Sequence, residues 1–93
     1  MVVYVLVHHC DTPDVETLDV IGVYGEEHFD MAHTDMIKER DRVIEEFKSI
    51  WPDWEWDEDM CDEGNTYASL GKMGIGFCND TIYTWEIVKR KVA

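Results

Sequence analysis

The chain has 93 residues and a mass of 10.9 kDa, which is the size of one domain. Hydrophobic residues make up 45% of it, which excludes a disordered tail and a membrane-embedded chain. Acids outnumber bases 21 to 8, a formal net charge of −13, which excludes a conventional nucleic-acid binder and argues against docking on anionic lipid.

The first element is Met1-Val2-Val3-Tyr4-Val5-Leu6-Val7. It is too short to span a bilayer and carries neither a basic start nor a cleavage site, so it reads as a buried strand rather than a signal peptide. Over residues 2–9, Val3, Val5 and Val7 point one way and Val2, Tyr4, Leu6 and His8 the other. Both faces are apolar, as in a central strand. Cys10 to Asp14 reads as a loop, and Leu18 to Tyr24 as a second strand paired antiparallel with the first.

Gly25-Glu26-Glu27 opens a helix, with acids at the positive end of its dipole. Phe29, Ala32, Met36, Ile37, Val43, Ile44, Phe47, Ile50 and Trp51 recur at steps of three and four, which marks a buried stripe. Charges fill the other side, where Glu39–Arg42 and Arg42–Glu46 are spaced to pair. Pro52 stops the helix, and Phe29-Asp30-Met31 sits awkwardly on the stripe, which suggests a break near Asp30. Tyr67 to Leu70 reads as a short strand, and Gly71, Gly74 and Gly76 as turns or bulges. In the last strand, Thr81 to Val92, Tyr83, Trp85 and Ile87 share one face. Ile82, Thr84, Glu86 and Val88 share the other. The expected fold is a single acidic α+β domain over residues 1–93, ordered β-β-α-(β)-β. A mainly antiparallel sheet of three to four strands is packed by one long helix.

Three pieces carry a family resemblance: Tyr4-Val5-Leu6-Val7-His8, Ile21-Gly22-Val23-Tyr24 before Glu26-Glu27, and the strand from Thr81 to Val88. In these the chain resembles a family of small bacterial and phage α+β domains with no assigned activity. The resemblance implies a phage or mobile-element source and the same fold, and implies no mechanism. Residues 51–78 depart from the pattern.

Residues 51–63 hold seven acids and no base, more than half of the net charge. Duplex DNA carries about one charge per 1.7 Å, so about 18 over the roughly 30 Å span of a compact chain this long. The protein approaches that density, enough to compete for a basic groove. The plainer reading is solubility through self-repulsion. The stretch Trp51-Pro52-Asp53-Trp54-Glu55-Trp56-Asp57-Glu58-Asp59 adds large rigid aromatic surface to the charge. Carboxylates around Trp54 and Trp56 would steer a basic partner. The expected partner-binding residues are therefore Asp53, Trp54, Glu55, Trp56, Asp57, Glu58 and Asp59. Trp51, which ends the helical stripe, is expected in the core. On this reading, replacing Trp54 and Trp56 by Ala removes binding and leaves the fold intact. A calcium loop through Asp53, Glu55, Asp57, Asp59 and Asp62 matches poorly, because no Gly stands at the sixth position.

His8-His9-Cys10-Asp11, with His28 or His33 of the helix, forms the alternative reading: a metal-binding protein or metal-dependent enzyme. Against it, adjacent strand residues face opposite ways. The five-residue gap from His28 to His33 does not share a helix face. No Lys or Arg stands beside Cys10 or Cys78 to activate a thiol. The three cysteines, odd in number and without a CxxC, fit a reducing cytoplasm rather than a disulfide framework. Gly71-Lys72-Met73-Gly74-Ile75-Gly76 lacks the Lys-Ser/Thr ending of a phosphate loop. Lys89-Arg90-Lys91 reads as a charged strand end.

The function expected from the sequence is that of a non-enzymatic cytoplasmic binding module without a cofactor. It engages a basic surface of a nucleic-acid-handling host protein as an inhibitor or DNA mimic, anti-CRISPR-like in charge. A third reading is a self-associating structural protein whose exposed aromatics close a homodimer.

Overall fold

A computed structural model describes residues 1–11, 16–72 and 81–92. The chain runs β1 (Val2–Asp11), β2 (Glu16–Gly25), a 3-10 turn (Glu26–His28) and α1 (Phe29–Ile50). A second 3-10 turn (Glu58–Met60), β3 (Asp62–Glu63), β4 (Tyr67–Lys72) and β5 (Thr81–Lys91) follow. The strands form one antiparallel sheet in the order β2-β1-β5-β4-β3, and α1 covers one side of it. The α+β class is as expected. The sheet has five strands, not three to four, because Asp62–Glu63 pairs with Ser69 and Ala68 through its backbone. Two acids give no apolar alternation by which such a strand could be read.

Alternation decides which side chains meet the helix. Leu6 stands opposite Ile87, His8 opposite Trp85, and Ala68 opposite Trp85 on the far side. These positions share the helix side of the sheet. With Ala32, Met36 and Val43 of α1, Leu6, Ala68, Leu70, Trp85 and Ile87 form the buried core. Phe29, Ile37, Ile44 and Phe47 flank it, so the buried stripe of α1 ends one turn before the helix does. Ile50 and Trp51 stand largely in solvent.

The irregularity at the start of the helix is the 3-10 turn, which passes into α-helix at Phe29; α1 then continues through Asp30 without a break. At the other end, the Trp51 amide donates to the Phe47 carbonyl at 2.8 Å, and Pro52 ends the element. Arg42 pairs with Glu39 at 2.9 Å and with Glu46 at 3.2 Å on the solvent side. Each such exposed pair contributes about 0.3–0.5 kcal/mol.

The β1–β2 register shifts between Leu6 and Val7, where Ile21 is the extra residue. This bulge keeps Val20 and Val23 on the side of the sheet away from α1, paired with Val7 and Val5. Gly74, Gly76 and Cys78 lie outside the described residues, as does most of the glycine-rich phosphate-loop candidate. Among the described residues, no helix is long and apolar enough to cross a membrane.

Candidate functional site: an acidic ledge held by aromatic rings

After Trp51 the chain turns back, with the Trp54 amide donating to the Trp51 carbonyl at 2.9 Å. It then crosses toward β4, where the Asp57 amide donates to the Gly71 carbonyl at 2.9 Å. Phe47 of α1 is the hub. The rings of Trp51, Trp54 and Trp56 lie 5.3, 4.9 and 4.9 Å from it, and Tyr83 lies 5.6 Å away. Trp54 and Trp56 meet edge to face at 5.5 Å, and Trp56 meets Tyr83 the same way at 6.0 Å. Such pairs add to area burial because ring edges are positive and ring faces negative.

The segment is thus pinned by its rings, and its carboxylates point outward. Asp53, Glu55, Glu58 and Asp59 are exposed, and Asp57 is half-buried. Lys72 braces the path: its Nζ donates to the Glu55 carbonyl at 2.7 Å and sits 5.1 Å from the Trp54 ring centre. Asp62 and Glu63 extend the acidic edge along β3. There Glu63 binds Arg40, which also reaches Asp41 at 3.0 Å. Burial acts to lower the Arg40 guanidinium, but these hydrogen bonds outweigh it and hold its pKa above the ordinary value. A shallow cleft of about 360 Å³ lies between α1 and β3–β4, lined by Arg40, Ile44, Cys61 and Leu70 among others.

The expected site residues therefore fall into two groups. Asp53, Glu55, Glu58 and Asp59 are brought to one accessible edge. Trp54 and Trp56 are half-buried on Phe47 and act first as the edge's support. The expectation for Trp51 is corrected: it is 50% exposed, at the tip of the aromatic row. Its ring follows the buried stripe of α1, which runs out at Phe47, and so it lies beyond the sheet's cover.

The histidines divide as strand geometry requires. His8 faces the helix side, stacked 4.7 Å from Trp85, with Nδ1 3.0 Å from the Thr84 carbonyl. A carbonyl only accepts, so Nδ1 carries the proton. His9 faces the other side, 3.5 Å from Glu16. Among the described residues, no group of three or more His, Cys, Asp or Glu side chains is placed to hold a metal ion. Cys10 and Cys61 are free thiols, both half-buried. Burial, then a hydrogen bond with Cys10, pushes the Tyr83 hydroxyl up to about 12.

Compared with protein-family models, with curated proteins and with solved structures, the chain has no match.

Proposed function

We propose that the protein is a non-enzymatic binding module whose acidic edge engages a basic surface of a nucleic-acid-handling protein, as an inhibitor or DNA mimic. One observation carries this reading. The most acidic stretch is fastened by three indole rings to Phe47, while Asp53, Glu55, Glu58 and Asp59 project from it into solvent. A pinned carboxylate row has a fixed spacing. A fixed spacing complements a basic groove with little ordering cost on binding. The charge also speeds encounter with a basic partner.

The test is a tagged pull-down from nuclease-treated bacterial lysate, eluted in salt steps and identified by mass spectrometry. The expected result is capture of basic DNA- or RNA-handling proteins, released sharply as salt screens the contact. Capture of neutral or acidic proteins indifferent to salt overturns the reading.

A further inference from the structure

The side of the sheet turned away from α1 carries Val3, Val5 and Val7 of β1, Val20 and Val23 of β2, and Val88 of β5. Among the described residues nothing is layered over them. Val20 and Val23 are 64% and 63% exposed, and Leu18 beside His9 is 70% exposed. An antiparallel sheet with one wet face normally alternates apolar and polar residues. Here both faces of β1, an interior strand, are apolar, and among the described residues the one long helix covers only one of them.

The charges on this face are self-complementary. Glu86 and Arg90 flank Val88 on β5, pointing to the same side, and both are exposed. Among the described residues neither takes part in an ion pair within the chain. A two-fold axis through Val88, lying in the face and crossing the strands, reverses strand direction. It sets Glu86 of one copy over Arg90 of the other, and the reciprocal pair over it. That is the condition of an isologous interface. The geometry points to a homodimer in which two copies stack these faces, helices outward, as a four-layer α-β-β-α sandwich.

The inference does not use the carboxylates of residues 53–59, and salt separates the two readings. Copies that each carry −13 repel at low salt. Self-association through this face therefore strengthens as salt rises, whereas capture of a basic partner weakens.

The experiment is light scattering after size exclusion, over a range of concentrations and two salt levels, on the full chain and two variants. Val23→Lys and Val88→Lys each place a charge on the face, at its edge and near its centre. Circular dichroism checks that each variant keeps its helix and strands. The expected result is a wild-type mass of about twice the chain, with both variants reduced to one chain. A wild type that stays at one chain at high concentration and high salt overturns the proposal. So does a Val88→Lys variant that stays dimeric while Val23→Lys does not, since that pattern marks contact along the β2 edge. A variant that loses its fold is replaced by Val→Thr at the same position, for which a weakened dimer is expected and an unchanged one counts against the proposal.

Discussion

The Tyr24 hydroxyl donates to the Asp35 carboxylate at 2.6 Å, tying the outermost strand β2 to the helix. The sequence around it explains how. Gly22 precedes Tyr24 by two residues on the same side of the strand, and a Cβ there would lie 2.8 Å from the Tyr24 hydroxyl. The missing side chain is the space the ring occupies. Burial, then the hydrogen bond and charge of Asp35, pushes the Tyr24 hydroxyl from 10.0 to about 12.

The folded state therefore holds this proton more tightly than the unfolded chain does. The stabilisation is complete below pH 10 and is lost as pH rises from 10 toward 12. Tyr83, pushed up to about 12 by its burial, acts in the same direction. Denaturation midpoints measured across this range should fall with pH. Tyr24→Phe should fall less steeply and cost about 1–2 kcal/mol at neutral pH through the lost charge-assisted bond. An equally steep fall in Tyr24→Phe would show that Tyr24 does not carry the effect.

Leu6 lies at the centre of the core, with no exposed surface, whereas Met31 on α1 is 56% exposed. Leu6→Ala should cost about 3–4 kcal/mol, because neighbouring side chains only partly fill the void. Met31→Ala should change stability by less than about 0.5 kcal/mol. Denaturant midpoints at one fixed protein concentration compare the two. Similar losses would place the core elsewhere.

At Gly71 the acidic segment passes against β4. A Cβ on Gly71 would sit 2.6 Å from the Met60 Cβ, a contact with no flexible end to give way. Gly71→Ala should destabilise by about 1–3 kcal/mol, and it should loosen the Asp57 amide bond to the Gly71 carbonyl. Amide exchange at Asp57 reads the second effect directly. Unchanged protection would mean that Met60 moves without disturbing the ledge.

Trp54→Ala and Trp56→Ala should each cost about 2–4 kcal/mol, since each ring packs on Phe47. Because both rings pack on Phe47, the double replacement combines two stability losses, and circular dichroism must accompany its binding readout. Trp51→Ala, at a half-exposed position, should cost about 1 kcal/mol. Thermal melts of the three variants give the order, and Trp51→Ala as the most damaging would reverse the assignment.

The long elements were legible because their periods are clean. Tyr83, Trp85 and Ile87 on one side of β5, and the steps of three and four from Ala32 to Phe47, each point to one buried face. The elements that escaped carry no such signal. β3 is two acids held by backbone pairing, and the bulge at Ile21 is a register shift inside an apolar run. Among the tryptophans the pattern misled, because helical spacing continues to Trp51 although the sheet beneath it does not. Trp54 and Trp56 lie in non-helical chain, where only the path back to Phe47 decides their burial. The charge of residues 51–63 was legible outright. That its carboxylates stand on a pinned segment required the structure.

The central claim is that the carboxylates, not the rings alone, recognise the partner. The most direct measurement is a side-by-side pull-down of the wild type and a variant with Asp53→Asn, Glu55→Gln, Glu58→Gln and Asp59→Asn. All four side chains are exposed, so the aromatic support is left in place. The account predicts that the variant, with unchanged circular dichroism, loses at least about tenfold in captured basic protein at moderate salt. Equal capture by the folded variant would contradict it.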